Sequence, residues 1–137
     1  MSDPAISVER RREARERALA LLYEAESKGI SPRDVVAALP VPPDPFAADL
    51  VQGVGDNESQ LDERIGAVAR GWTVARMPAI DRALLRVGCY ELLHEPGTPT
   101  AVIINEAVEL ATRFSTDDSG RFVNGVLSKL AQEIRPA

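Results

Sequence analysis

The apolar residues of this chain recur at spacings of three and four, and this helical period most constrains the fold. The segment 80–93 is almost continuously apolar and includes Leu84, Leu85 and Leu92, which is typical of a central, buried helix. No segment shows the convincing alternation of apolar and polar residues that a half-buried strand requires. The sequence therefore predicts an all-α protein.

Turn-forming residues divide the chain into about six to seven helices. Ser7, Ser31 and Thr100 are predicted caps, because a side-chain oxygen before a helix can accept one of its first amide hydrogens. Asp117, Asp118 and Ser119 are expected to start the last helix in the same way. The predicted helices cover residues 7–26, 32–39, 46–70 (one bent helix or two shorter ones), 80–93, 100–114 and a final segment from about 119.

Length and composition exclude several classes of protein. A chain of 137 residues, 45% of them hydrophobic, is long enough for one domain with a real core. The absence of a long apolar stretch and the charged N-terminus argue against a membrane span or a signal peptide, so we expect a cytoplasmic protein. A single cysteine and a single histidine fall short of the usual His/Cys zinc sets, so we expect no structural metal and no cofactor.

Charge is distributed unevenly along the chain. The formal net charge is -5, so any binding of nucleic acid must depend on a local patch. Five of the 16 basic residues fall within residues 10–17, and Arg11, Arg12 and Arg15 can share one side of a helix. This cluster could dock on a phosphate backbone, but the interleaved acids equally fit a solvated helix face, and the preference for arginine over lysine also fits a GC-rich genome.

The motifs considered for catalysis favour structural interpretations. His94 precedes a proline turn, where it suits the end of a helix, and Gly53 and Gly55 do not follow a strand as a dinucleotide-binding loop requires. Asp117 and Asp118 are adjacent and would point in different directions on a helix, so they cannot easily share a proton. We therefore expect that the protein is not an enzyme.

Several ordered motifs resemble one family. They are residues 80–86 (IDRALLR), 89–93 (CYELL), 104–111 (INEAVELA) and 122–127 (FVNGVL), preceded in the N-terminal helix by residues 11–16 (RREARE), Ala18, Leu22 and Tyr23. Together they cover nearly the whole chain in one register and are similar to the signature of the NusB family of bacterial antitermination factors. The resemblance implies a single NusB-like domain of two small helical bundles, at about residues 7–70 and 72–135.

The resemblance also implies a function and partners. Members of the NusB family bind the boxA element of nascent RNA together with NusE, a ribosomal protein of the small subunit, and join other Nus factors on RNA polymerase in the bacterial cytoplasm. Their role is to promote processive transcription of ribosomal RNA operons. Some members form a homodimer that buries the RNA face, and the sequence leaves the oligomeric state of this chain open.

Site residues are carried over from the family by position. The implied RNA contacts are Arg11, Arg12, Arg15, Phe114, Asp118, Ser119 and Phe122, and the implied NusE contacts are Tyr23 and Asp81. By spacing alone, Phe122 fits a core position better than a base-stacking one, and Asp118 fits a helix cap. The chain departs from some relatives at Glu13, inside the arginine cluster, and at Ala75, where relatives carry an acid.

Two other functions compete with the adaptor. A NusB-like module also forms the RNA-recognition domain of some ribosomal RNA methyltransferases, but because this sequence ends at Ala137 we expect no catalytic domain. A purely structural module that docks on proteins through apolar surface is the third possibility. It predicts that neutralising Arg11, Arg12 and Arg15 leaves function intact.

Overall fold

A computed structural model describes residues 4–136, and these residues form seven α-helices and one short 3-10 turn, with no strand. The helices are α1 (Pro4–Lys28), α2 (Pro32–Ala37), α3 (Pro45–Asp56), α4 (Glu58–Val68), α5 (Ala79–His94), α6 (Thr100–Phe114) and α7 (Ser119–Ile134), and the 3-10 turn is Val74–Arg76. The prediction of an all-α fold with six to seven helices is confirmed. None of the described helices combines the length and apolarity that a bilayer crossing requires.

The helices group into two compact units, of which one ends at Asp56 and the other begins at Asn57. The sequence-based boundary near residue 71 placed α4 with the N-terminal helices, whereas the structure groups it with α5–α7. The reason is a set of side-chain contacts within the second unit. Arg86 of α5 donates from Nε to Oδ1 of Asp62 at 2.7 Å and from Nη2 to Oδ2 at 2.8 Å, a two-bond pairing that ties α4 to α5.

In the N-terminal unit, α1, α2 and α3 pack against one another through apolar stripes. Ala18 and Leu21 of α1, Val35 of α2 and Leu50 of α3 are almost completely buried. Hydrophobic burial of this kind is the main force that holds short helices together. A Cβ at Gly55 would lie 3.0 Å from the Pro32 ring, so the small residue allows α3 to approach α2 closely.

In the C-terminal unit, α5 contacts α4, α6 and α7, and ten of its 16 residues are buried. The prediction that this segment forms the central helix is confirmed. A Cβ at Gly88 would lie 2.8 Å from Cδ2 of Leu127, so any side chain here would force the buried Leu127 side chain to shift. The packing of α7 on α5 therefore depends on a residue without a side chain.

Helix caps differ from the sequence prediction at several places. Ser31 caps α2 as expected, because its Oγ accepts the Asp34 amide at 3.0 Å. Thr100 was wrong as a cap, since it is the first residue of α6 and Pro99 precedes it. Asp118 precedes α7 without a side-chain capping bond, and Ser7 lies inside α1, which begins at Pro4. The residues that precede α6 and α7 therefore make no side-chain capping bond.

Candidate nucleic-acid interface

The arginine cluster lies on α1, and its three predicted RNA contacts differ in exposure. Arg11 and Arg12 are exposed, whereas Arg15 is only 4% exposed. Cζ of Arg11 lies 4.5 Å from the centre of the Phe46 ring, and Cζ of Arg15 lies 5.4 Å from the same centre. Phe46 therefore holds two guanidinium groups by cation–π contact, one at the surface and one beneath it.

Arg10 is engaged by the start of α3. Its Nε donates to Oδ2 of Asp44 at 2.5 Å, and Oδ1 of Asp44 accepts the Phe46 amide at 2.8 Å. The hydrogen bond from Arg10, reinforced by the bond from the Phe46 amide, lowers the pKa of the Asp44 carboxyl below its usual value. Arg10 is thus paired with the residue that precedes α3.

The two residues predicted to face NusE lie in different environments. Tyr23 is on α1 in the N-terminal unit and is half exposed. Asp81 is in the first turn of α5 in the C-terminal unit and is only 3% exposed. A direct contact with a partner is therefore open to Tyr23 in this conformation, whereas Asp81 is covered.

Asp81 joins the start of α5 to the turn between α6 and α7. Its Oδ1 accepts the hydroxyl of Ser115 at 2.6 Å, and its Oδ2 accepts the hydroxyl of Ser119 at 2.9 Å. The amide of Thr116 in turn donates to Oγ of Ser119 at 3.2 Å. Ser119, a predicted RNA contact, is therefore buried in a network that fixes the turn.

Two other predicted RNA contacts on this turn are exposed. Phe114, the last residue of α6, is exposed, and Cζ of Arg113 lies 4.7 Å from the centre of its ring. The side chain of Asp118 is 83% exposed and accepts a bond from Nη2 of Arg121 at 2.5 Å. These side chains are accessible to a ligand, and both aromatic stacking and hydrogen bonding are available to one.

A groove of about 450 Å³ in the C-terminal unit brings several predicted residues together. We call it the aromatic groove, and its lining residues are Trp72, Pro78, Asp81, Thr116, Asp118, Ser119 and Phe122. The rings of Trp72 and Phe122 lie with their centres 5.9 Å apart and are tilted by 58°. Phe122 is therefore half-buried against an exposed indole, rather than being wholly part of the core.

Trp72 was missed in the sequence analysis. It follows Gly71, which has a φ of +79°, and precedes the 3-10 turn, so it belongs to no periodic segment. The available signal was that it is the only tryptophan of the chain and stands in a loop, where exposed aromatic residues often bind ligands. Its position next to Phe122 depends on tertiary structure and could not be read from the sequence.

The residues that could bind a metal or act as a nucleophile are dispersed or buried in the part of the chain that the structure describes. Within residues 4–136, no three His, Cys, Asp or Glu side chains lie together as a metal site would require. Cys89 is completely buried on α5, and desolvation raises the pKa of its thiol to about 11. This thiol is therefore protonated and shielded at neutral pH.

Comparison with known proteins agrees with this fold. A family model described as the NusB family matches residues 12–132. A transcription antitermination protein NusB from Leifsonia xyli subsp. xyli is 48% identical over an alignment of 131 residues, and the match covers 89% of this chain and 91% of the relative. The protein of that name from Saccharopolyspora erythraea is 49% identical over 128 residues, covering 88% of this chain and 86% of the relative.

Solved structures show the same arrangement of helices. The NusB of T. maritima superimposes with a TM-score of 0.82 at 30% identity, covering 97% of this chain and 94% of that one. A chain from the crystal structure of antitermination factors NusB and NusE in complex with dsRNA gives a TM-score of 0.78 at 24% identity, covering 91% and 98%. At that identity the second likeness shows the fold alone.

The class is thus defined as an all-α protein with the fold of NusB, carrying an arginine cluster on one unit and the aromatic groove on the other. The family model matches most of the chain. The match to a relative that is nearly half identical covers about nine tenths of both proteins. The chain belongs to the NusB family.

Proposed function

We propose that this protein is a non-catalytic adaptor of bacterial transcription antitermination. In this proposal it binds boxA RNA together with NusE, joins other Nus factors on RNA polymerase, and promotes processive transcription of ribosomal RNA operons. The observation that carries the proposal is the near full-length match to relatives named transcription antitermination protein NusB. The likeness covers both units and is therefore not confined to one shared motif.

The RNA contacts are proposed as two sets, one on each unit. On the N-terminal unit, the exposed guanidinium groups of Arg11 and Arg12 would contact phosphates, with Arg15 beneath them. On the C-terminal unit, Phe114, Asp118 and Phe122 would contact bases. Ser119 and Arg15 are proposed to act mainly by holding these neighbours in place, because both are buried.

The NusE contacts are proposed at Tyr23 and, less directly, at Asp81. The exposed phenol of Tyr23 can both stack and hydrogen-bond with a partner. The carboxylate of Asp81 is already bonded to Ser115 and Ser119, so its proposed contribution is to the shape of the surface that NusE would meet.

Fluorescence anisotropy of a labelled boxA oligoribonucleotide tests the proposal. The protein is titrated with and without NusE at low and moderate salt, after light scattering has established whether it is a monomer or a homodimer. Binding that NusE strengthens is the expected result. If verified monomer binds neither boxA RNA nor NusE at any salt concentration, the adaptor proposal is refuted.

The matched variants are R11A/R12A and K28A/R33A. Both remove two positive charges from the N-terminal unit, but Lys28 lies about 25 Å from Arg11 along α1, and Arg33 lies on α2, outside the arginine cluster. We expect the first variant to weaken binding and to lower the salt dependence of log K by about 1.4, the value for two contacts with single-stranded RNA. The second variant should retain binding, and equal loss in both would indicate a general charge effect.

A further inference from the structure

We infer that Trp72 provides the stacking surface for a single unpaired nucleobase in the aromatic groove, with Asp118 at the rim to recognise the edge of that base. This inference rests on the proposed RNA binding and adds to it a residue and a class of ligand. It depends on three observations in the C-terminal unit: the geometry of two rings, the charge of the groove, and the way the Trp72 loop is held.

The ring geometry specifies where a base could lie. Bases stack about 3.4 Å apart, so a base inserted between two rings would need about 7 Å between them. The centres of Trp72 and Phe122 are only 5.9 Å apart, and their planes are tilted by 58°. A base that stacks on Trp72 must therefore lie on the half-exposed indole and not between the two rings, with Phe122 packed beside it.

The charge of the aromatic groove favours a base over a phosphate. Its lining residues include two carboxylates, Asp81 and Asp118, and no lysine or arginine. Asp81 is occupied by serine hydroxyls, which leaves the exposed Asp118 carboxylate as the acceptor for the exocyclic amino group of adenine, cytosine or guanine. Arg121, bonded to Asp118, supplies a positive charge at the rim for the adjoining phosphate.

The Trp72 loop is held in place before any ligand arrives. Nη1 of Arg82 donates to the carbonyl oxygens of Met77 at 2.7 Å and of Val74 at 3.1 Å, and thereby fixes the 3-10 turn that follows Trp72. On the other side, the Trp72 amide donates to the carbonyl of Ala69 at 3.1 Å. A stacking surface that is already positioned loses little conformational entropy on binding.

The fluorescence of Trp72 tests this inference directly, because it is the only tryptophan of the chain. The full-length protein is titrated with boxA oligoribonucleotide without NusE, while anisotropy of the labelled RNA is followed in parallel. Stacking of a base should quench the indole emission at the same RNA concentrations that raise anisotropy. A series of RNAs with one abasic position each should locate the base, since quenching should disappear for one position or two neighbouring ones.

Variants at Trp72 separate aromatic stacking from apolar bulk. W72L should raise the Kd for RNA by roughly 5-fold to more than 100-fold, the range observed for loss of one aromatic–base contact. W72F should restore most of the affinity, because it keeps an aromatic face. V102A, at an exposed apolar position on α6 outside the aromatic groove, is the surface control and should bind as the unaltered protein does.

The outcomes distinguish this inference from the proposed function. RNA binding with unchanged indole emission and a normal Kd for W72L would overturn the inference and leave the proposed function standing. Loss of NusE binding rather than RNA binding in W72L would also overturn it, since the aromatic groove would then belong to the protein partner. If W72L fails to fold by circular dichroism, quenching in the unaltered protein and the affinity of W72F decide the question.

Discussion

Replacement of Asp81 by alanine should destabilise the C-terminal unit strongly, even though family resemblance assigns this residue to a partner surface. Asp81 is 3% exposed and accepts hydroxyl bonds from Ser115 and Ser119 at 2.6 and 2.9 Å. Each hydrogen bond to a charged group contributes about 1.5 kcal/mol or more, and the orphaned hydroxyls add a desolvation cost. The carboxylate also stands in the first turn of α5, where the helix dipole favours it. We expect a loss of about 2–4 kcal/mol.

Thermal unfolding followed by circular dichroism measures this loss. With an unfolding entropy of about 2.1 cal/mol/K per residue, 1 kcal/mol corresponds to roughly 3–4 °C for a chain of this size, so the D81A midpoint should fall by about 7–14 °C. D81N keeps an acceptor oxygen and should fall less. D117A, at an exposed neighbouring position, should change the midpoint by no more than about 2 °C. A D81A protein with an unchanged midpoint and lost NusE binding would refute the structural role and favour direct contact.

Three further variants test other parts of the C-terminal unit. R82A removes the bonds that hold the 3-10 turn, so the emission of Trp72 should shift to longer wavelength as the indole gains water contact. G88A should lower the unfolding midpoint by about 4–10 °C, because its methyl group would lie 2.8 Å from the buried Leu127 side chain. The raised pKa of the Cys89 thiol, about 11 against 9.0, implies stability that is full below pH 9 and lost as pH rises through 11. C89A should show a smaller alkaline decline in denaturant titrations.

The helices were predictable because burial along a helix follows the apolar period. The run around Leu84 and Leu85 identified α5 as the central helix, and Ser31 was recognisable as a cap because it precedes Pro32, which suits the first position of a helix. Thr100 and Asp118 also carry side-chain oxygens that can accept an amide hydrogen bond, but α6 and α7 begin without a capping bond from them. A capping residue type shows that a cap is possible, whereas the direction of the preceding turn determines whether one forms.

The sequence predicted less of the candidate site than of the helices, because the contacts of its residues with other elements could not be inferred. The spacing of Arg11, Arg12 and Arg15 placed them on one side of α1, but it did not show that Phe46 of α3 covers Arg15 and supports Arg11. Trp72 lies in an aperiodic loop, and its approach to Phe122 comes from packing between segments distant in sequence. The helical period predicts which residues share a face of one helix. It does not predict which residues of two different elements come into contact.

The buried polar residues of the C-terminal unit have a consequence for how its surface should be mapped. Asp81 and Ser119 fix the turn that carries Asp118, and Arg82 fixes the turn that follows Trp72. Substitution of any of these three buried or half-buried residues would move exposed side chains and weaken binding without removing a contact to RNA or NusE. Loss of binding therefore identifies a contact residue only when the unfolding midpoint is unchanged. By that criterion we expect Trp72 and Asp118 to affect binding alone, and Asp81 and Ser119 to affect binding and stability together.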